Sequence, residues 1–226
     1  MRITFISDSH NKHKQIVNDL PGGDLLLHAG DISSMGKFHE IKAFFGWFNY
    51  LPGYKNKIMI SGNHDFGFQN FPEEIRKLLQ NYENIRYLQD NFTIVDGVKI
   101  WGTPWQPWFY DWAFNLPRNG EELKSKWNLI PEDVDILITH GPPFGVLDKV
   151  IGRYENLGCE LLIERVMEIK PKIHVFGHIH SGNGIIEQNG TLFVNASVLN
   201  ESYNYHYKPL TIDYDFFTKT YEIIGD

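Results

Sequence analysis

The sequence has little cysteine and no excess of positive charge. Cys159 is the one cysteine in 226 residues, which excludes an intramolecular disulfide framework and is compatible with a reducing compartment. The 21 Lys and Arg residues are outnumbered by 28 Asp and Glu residues, so the formal net charge is −7. Because nothing in this balance would attract a polyanion, we do not expect a nucleic-acid polymer as a partner.

Long apolar runs are also missing. No stretch approaches the roughly 20 apolar residues that a membrane-spanning helix requires. The N-terminal MRITFISDSH lacks the apolar core and small-residue cleavage site of a signal peptide. We therefore expect a cytoplasmic protein without a membrane partner. The length favours one domain over residues 1–226, since it allows a substantial core but is short for two domains.

Aromatic residues, in contrast, make up 15% of the chain, which is a high share. They are concentrated in the irregular segment 101–117, WGTPWQPWFYDWAFNLP. Trp105, Trp108 or Phe109 could stack on a nucleobase or another flat leaving group. The same rings would serve equally well as core cover or in a homodimer interface, so the sequence leaves these alternatives open.

Short β-rich runs alternate with helix-like stretches along the chain. The runs are ITFIS (3–7), LLLH (25–28), KIMIS (57–61), DILIT (135–139) and IHVFG (173–177). The helix-like stretches are 36–49, 72–80, 119–127 and 158–169. This alternation predicts an α/β fold. The hairpin-like FTIVDGVKIWG and GIIEQNGTLFVN, with the terminal pair PLTIDYD and TKTYEII, predict a second, more antiparallel sheet beside the first.

A polar cluster follows each of the five β-rich runs. The clusters are Asp8 to His10, Gly30 with Asp31, Gly62 to Asp65, His140 with Gly141, and Gly177 to His180. Because ligands of open α/β sheets bind at the carboxyl ends of the strands, we expect these clusters to meet in one crevice. Their carboxylates, imidazoles and single carboxamide suit a borderline divalent ion such as Mn, Fe or Zn.

Seven candidate ligands are too many for one tetrahedral ion, but they suffice for two ions roughly 3.5–4 Å apart. They are Asp8, His10, Asp31, Asn63, His140, His178 and His180. One carboxylate must then bridge the ions. We expect Asp31 to do so, since a carboxylate offers two oxygens and the neighbouring Gly30 allows the backbone to approach closely.

In chain order the clusters read DSH, GD, GNHD, HG and GHIH. This set resembles the signature of the calcineurin-like metallophosphoesterases. The stretches WGTPWQPWF, WAFN, THGPP, LGCELL, HVFGHIH and VNAS resemble the small metallophosphoesterase-domain group of that family. The resemblance implies a four-layer α/β/β/α sandwich of two mixed sheets flanked by helices. Animal members of the group commonly carry glycine where this chain has His178, and this departure favours a fuller second metal site.

The resemblance also implies a role for each residue. The first ion, preferably manganese, would bind Asp8, His10, Asp31 and His180, and the second Asp31, Asn63, His140 and His178. A hydroxide between the ions would attack phosphorus. His64 would contact the phosphate and protonate or stabilise the leaving oxygen, and Asp65 could orient His64.

The expected activity is hydrolysis of a small-molecule or cyclic nucleotide phosphate ester, with phosphodiesters favoured. A protein phosphatase or nuclease of the same fold is one alternative, although its basic groove or docking domain is not visible in the sequence. A non-catalytic binding scaffold is another, although no motif residue is missing. Among the other histidines, we expect His28 and His174 to support the ligands from behind, and His13, His39 and His206 to lie at the surface.

Overall fold

The strands form two large sheets and one short pair. The computed structural model describes residues 1–225. In chain order the strands are β1 (Arg2–Ile6), β2 (Gly23–Ala29), β3 (Tyr54–Ile60), β4 (Ile85–Tyr87), β5 (Asn91–Val95), β6 (Val98–Thr103), β7 (Gln106–Pro107), β8 (Asn115–Leu116), β9 (Ile136–Thr139), β10 (Ile173–Phe176), β11 (Gly184–Gln188), β12 (Thr191–Asn195), β13 (Leu210–Asp215) and β14 (Thr220–Ile224). The first six-stranded sheet has the order β14-β13-β1-β2-β3-β4, and the second has the order β11-β12-β10-β9-β6-β5.

Both sheets are mixed, as the fold prediction requires. Strands β1 to β4 run parallel in one sheet, and β6, β9, β10 and β12 run parallel in the other. Antiparallel strands complete the edges. The predicted split into one parallel and one more antiparallel sheet was wrong. Strands β9 and β10 share a sheet with the two internal hairpins, whereas the terminal hairpin β13–β14 extends the first sheet beside β1.

The helices lie close to their predicted positions, except the second helix, which was not predicted. They are α1 (Phe38–Tyr50), α2 (Phe66–Asn70), α3 (Pro72–Leu79), α4 (Glu121–Asn128) and α5 (Glu160–Ile169). Local signals set their ends: the Glu40 side chain accepts a hydrogen bond from Lys37 N at the start of α1, and Pro72 occupies the first turn of α3. Within residues 1–225, no helix is both long enough and apolar enough to cross a bilayer.

Alternating side chains of each sheet produce three apolar layers. Leu25 and Leu27 of β2 face the second sheet, where Ile136 and Ile138 of β9 meet them. Leu26 lies on the opposite face of β2, in the layer that α1 covers. Trp127 of α4 and Val166 of α5 cover the outer face of the second sheet. Helices therefore flank two packed sheets, which gives the four-layer α/β/β/α order.

The layer beneath α1 provides a test of core packing. Phe44 is fully buried, with its ring centroid 5.0 Å from that of His28 and 5.2 Å from that of Phe48. We expect Phe44→Ala to lower the free energy of unfolding by about 3–5 kcal/mol, because it opens a cavity that a close-packed layer cannot refill. Urea denaturation measures this change. Phe217→Ala is the control, since Phe217 is 94% exposed; equal losses in the two variants would contradict the layer assignment.

Candidate metal centre

Hydrogen bonds between loops hold the five polar clusters together. Asp8 N donates to Gly30 O at 3.0 Å, joining the loops that follow β1 and β2. Gly177 N donates to His140 O at 2.9 Å, joining the loops that follow β9 and β10. The side chain of His140, which follows β9 of the second sheet, reaches the first sheet, where its Nδ1 lies 2.9 Å from the carbonyl oxygen of Ala29 at the end of β2. The predicted crevice therefore lies where the carboxyl ends of both parallel strand sets meet.

Asp8, His10 and His180 form one group of candidate ligands. One ligand atom from each lies within 4.8 Å of the others, and Asp8 Oδ1 is 3.6 Å from His180 Nε2. All three residues are buried. Neither ring nitrogen of His10 has a hydrogen-bond partner among residues 1–225. Because buried polar atoms are normally paired, this bare imidazole fits a metal ion as its missing partner.

Asp31, His140 and His178 form a second group, again within 4.8 Å of one another. Asp31 Oδ2 lies 3.3 Å from His140 Nε2, and Asn63 Oδ1 lies 2.9 Å from the same nitrogen. Asp31 Oδ2 is also 3.6 Å from His10 Nε2, which belongs to the first group. The structure thus brings all seven predicted ligands together, with Asp31 between the two groups.

Burial keeps two of the histidines neutral. It lowers the pKa of His10 to about 4 and the pKa of His178 to about 3. A cationic imidazole has no lone pair for a metal, so a ligand must be neutral. Both rings meet this condition near pH 7.

The other two histidines are paired with carboxylates. Burial opposes the positive charge of His180 and His140, but Asp8 and Asp31, respectively, outweigh it and raise the pKa of each ring to about 9. The same pairs hold the pKa of both carboxyl groups below the usual range despite their burial. The negative potential of the two carboxylates attracts protons to these imidazoles, and a divalent cation would compete with the protons for the ring nitrogens.

The backbone is strained where it presents these ligands. Asp8, His10, Asp31 and His178 have φ values of 54°, 37°, 56° and 69°. Residues other than glycine rarely adopt this left-handed region, and each costs about 1–3 kcal/mol where the surroundings enforce it. Four such residues within one site indicate that the loops are shaped for ligand position rather than for local stability.

At two glycines of the motifs, the backbone lies so close to a carboxylate that no side chain would fit. A Cβ atom on Gly62 would lie 2.3 Å from Asp31 Oδ1, and a Cβ atom on Gly177 would lie 2.1 Å from Asp8 Oδ2. Any side chain at either position would push a carboxylate out of place. The glycines of GNHD and GHIH are therefore part of the packing around the candidate ligands.

His64 lies beside His10 and Asp31, and one ligand atom from each of these three residues lies within 4.8 Å of the others. Its Nδ1 lies 2.8 Å from Ser34 O, and its Nε2 lies 4.0 Å from Asp31 Oδ2. The Trp112 ring lies against it, with the ring centroids 4.0 Å apart. If Nδ1 donates to the Ser34 carbonyl, Nε2 is the nitrogen left for a substrate.

Asp65 does not orient His64, so that expectation was wrong. Its buried carboxylate accepts hydrogen bonds from Ile32 N, from Ser33 N and Oγ, and from Gly62 N. Burial, reinforced by the charge of Asp31, raises the pKa of Asp65 to about 6. Asp65 therefore stabilises the loop that carries Asp31. The position of Asp65 next to His64 in the sequence did not indicate this role.

The remaining histidines divide between core and surface. His28 and His174 are fully buried. His28 Nε2 lies 3.0 Å from Ser9 Oγ and His174 Nε2 lies 2.9 Å from Thr139 Oγ1, so each bonds to a residue next to a candidate ligand in the sequence. The surface prediction for His13 was wrong: the residue is 3% exposed and packs against α1, and burial lowers its pKa to about 4. His13 begins a 3-10 helix, in which His13 and Ile16 are buried.

A cavity of about 300 Å³ opens beside the two groups. Trp108, Phe109 and Trp112 of the aromatic segment line it. Trp105 instead points its indole N–H to Asp90 Oδ2 at 2.8 Å and packs within the protein. The segment thus combines cavity wall and core cover, and Trp112 is a cavity residue that the sequence analysis missed.

The cavity also contains residues outside every motif. Tyr203 lies with its ring centroid 4.9 Å from that of His10 and 5.2 Å from that of His180, and its φ is 58°. Arg118 and Arg153 line the cavity as well. Sequence reasoning missed all three because they lie in loops without strand or helix periodicity.

Comparison with known proteins agrees with this arrangement. The family model for calcineurin-like phosphoesterases matches residues 1–182. The chain belongs to the calcineurin-like phosphoesterase family. Family membership makes it a metal-binding hydrolase of phosphoric esters.

Two relatives and one solved structure are similar to this calcineurin-like phosphoesterase. Metallophosphoesterase domain-containing protein 1 of Homo sapiens is 44% identical over 94% of this chain and 70% of that protein. A UPF0046 protein of Caenorhabditis elegans is 36% identical over 94% of this chain and 60% of that protein. The crystal structure of TT1561 of Thermus thermophilus covers 100% of this chain and 98% of that chain, with a TM-score of 0.67 and 17% identity, and shares the fold.

The glycine contacts yield a prediction for this calcineurin-like phosphoesterase. We expect Gly177→Ala to lose most metal binding, because the new methyl group would displace Asp8. Elemental analysis after manganese loading and dialysis measures the loss, and circular dichroism checks folding. Gly46→Ala is the control, since a Cβ atom there meets nothing within 4 Å. A folded Gly177→Ala variant with the metal content of the wild type would refute the packing argument.

Proposed function

We propose that this chain hydrolyses phosphodiester bonds of small-molecule or cyclic nucleotide substrates at a centre of two divalent ions. The position of Asp31 carries the proposal. Its Oδ2 atom lies 3.6 Å from His10 Nε2 and 3.3 Å from His140 Nε2, so one carboxylate adjoins both ligand groups. A shared carboxylate supports two neighbouring ions rather than two independent sites.

The ligand groups suggest how the ions would be divided. We assign Asp8, His10, Asp31 and His180 to the first ion, and Asp31, Asn63, His140 and His178 to the second. When bound, two divalent ions act as Lewis acids on phosphate oxygens and on the attacking water. Mixed imidazole and carboxylate ligands accept manganese, iron or zinc, and we propose manganese.

His64 is the proposed acid for the leaving oxygen. The Ser34 carbonyl and the Trp112 ring hold the imidazole on two sides. In our assignment the ring acts in its doubly protonated form: Nδ1–H donates to Ser34 O, and Nε2–H contacts the phosphate and passes its proton to the leaving oxygen as the P–O bond breaks. The imidazole is then neutral, with its remaining proton on Nδ1. Such a positioned proton donor counteracts the negative charge that develops on the leaving oxygen.

The cavity supports a small anionic substrate with a flat organic group. Trp108 and Phe109 provide ring faces beside the ligands. Arg153 also lines the cavity and forms no ion pair within residues 1–225, so its positive charge is available to the substrate. A volume of about 300 Å³ suits a small ligand rather than a folded protein or duplex.

The first test of the proposal is catalysis. We expect hydrolysis of bis-p-nitrophenyl phosphate with added manganese, complete loss in EDTA, and a decrease in kcat of roughly 10²- to 10⁴-fold in His64→Ala, because the group that contacts the phosphate and stabilises the leaving oxygen is removed. Release of p-nitrophenolate measures the rate.

The control variant for this test is His39→Ala, since His39 is an exposed histidine of α1. It should leave kcat unchanged. If His64→Ala retains the activity of the wild type, His64 does not assist the reaction at the phosphate or the leaving oxygen. If the wild type shows no metal-dependent turnover on any phosphate ester, the proposed function is wrong.

The second test is metal stoichiometry. We expect about two manganese ions per chain in the wild type and about one in His178→Ala, because this substitution removes a ligand of only one proposed ion. Elemental analysis of the reconstituted proteins measures both. His206→Ala, at an exposed position, should match the wild type. One ion per chain in the wild type would exclude the dinuclear centre while leaving a mononuclear hydrolase possible.

A further inference from the structure

The indole ring of Trp112 covers the imidazole of His64. The two ring centroids are 4.0 Å apart and the ring planes differ by 31°, so the rings lie against each other at a tilt. The His10 ring also meets His64, edge to face, with the centroids 4.5 Å apart. Ser34 O holds a single atom of the imidazole, Nδ1, at 2.8 Å. Because one hydrogen bond leaves a ring free to rotate about that contact, the packing of its faces determines where Nε2 points.

Main-chain hydrogen bonds anchor Trp112 to the GNHD motif and to the helix that follows it. Ala113 N donates to Asn63 O at 3.0 Å. Phe114 N donates to Gln69 Oε1 in α2. These donors are the two amides that follow Trp112, so a substitution of the indole removes neither of them. A change in the ring can therefore be tested while the loop stays attached.

Trp112 also separates two spaces. It lines the cavity beside the candidate metal centre, and together with Met35, Phe66 and Tyr110 it lines an open apolar groove at the surface. The side chain of His64 is 12% exposed. Without the indole, the groove would join the cavity beside His64. The imidazole would then gain both water and room to turn away from the substrate.

We propose that Trp112 is a positioning residue for the reaction, and that its indole holds the His64 imidazole with Nε2 towards the leaving oxygen. The inference rests on the proposed function, because it assigns a supporting residue to the proton donor of the same site. Trp112 acts through His64, so its loss lowers the rate of bond cleavage rather than the binding of substrate. Misplacement of a catalytic group by about 1 Å can cost about 10²-fold in rate, which sets the scale of the effect.

The test is a double-mutant cycle on the manganese-loaded protein with bis-p-nitrophenyl phosphate. We expect Trp112→Ala to lower kcat about 10- to 100-fold and to leave KM unchanged. In a His64→Ala background the same substitution should have no further effect, because the group through which it acts is already missing. Trp112→Phe should restore most of kcat, since a phenyl ring can also stack on the imidazole.

A second ester and a matched control extend the test. The loss in Trp112→Ala should be larger on diphenyl phosphate, because its more basic leaving oxygen depends more on the proton of His64. Tyr110→Ala is the control in the same loop, since Tyr110 is 67% exposed on the side of the groove. It should keep the kcat of the wild type. Trp112→Leu, which keeps apolar volume without a ring, replaces Trp112→Ala if that variant does not fold.

Several results would overturn the inference. An equal loss of kcat in both backgrounds would show that Trp112 does not act through His64, as would an equal loss on the two esters. A higher KM at unchanged kcat would show that Trp112 binds the substrate instead. Crystal structures of the wild type and Trp112→Ala test the inference without turnover: we expect the imidazole to leave the Ser34 carbonyl in the variant, and an unmoved ring refutes the positioning role. Absence of turnover in the wild type refutes the proposed function, whereas the position of the ring still decides the inference.

Discussion

The burial of two carboxylates, Asp8 and Asp31, is the constraint on which the site depends. A buried charge is unfavourable unless ion pairs and hydrogen bonds offset the lost hydration. Asp8 accepts hydrogen bonds from His178 N at 3.0 Å and from Ser197 Oγ at 2.7 Å, and His64 N donates to Asp31 Oδ1 at 2.8 Å. These hydrogen-bond donors of the protein thus keep both carboxylates ionised. The negative potential of the carboxylates favours cations at the candidate metal centre.

This constraint explains the backbone of the motifs better than local propensity does. The donors can reach the carboxylates only if the loops turn sharply, and the left-handed φ values of Asp8 and Asp31 are the result. Gly62 and Gly177 allow the next loops to touch those carboxylates. Such strained loops persist because rigid parallel strands of two packed sheets fix their ends. The stability of the core therefore supports the geometry of the site.

The sequence predicts the site well because its signal is local, with each cluster directly following a strand. The carboxyl ends of parallel strands in one sheet lie at one edge, which brings Asp8, Asp31 and Asn63 together. His140 follows β9 of the other sheet, so its contact with Asn63 depends on how the two sheets pack. Partners set by tertiary contacts could not be predicted. A hairpin has the same alternation whichever sheet it joins, and for this reason β13–β14 was misplaced. The burial of His13 and the position of Tyr203 beside His10 were not predicted, because the tertiary contacts of a side chain depend on what packs against it, which no short sequence pattern records.

The cavity has two walls that come from different parts of the sequence. The motif clusters form the charged wall, and close packing against Asp8 and Asp31 leaves them little freedom to change. The segment that contains Gln106, Phe109 and Asn115 forms the other wall, with β7 and β8 joined by a two-residue pairing and side-chain amides. Substitutions there would alter ring faces and hydrogen-bond acceptors without moving a carboxylate. The candidate metal ligands and the aromatic wall can therefore change independently in this fold, because they lie on separate segments of the chain.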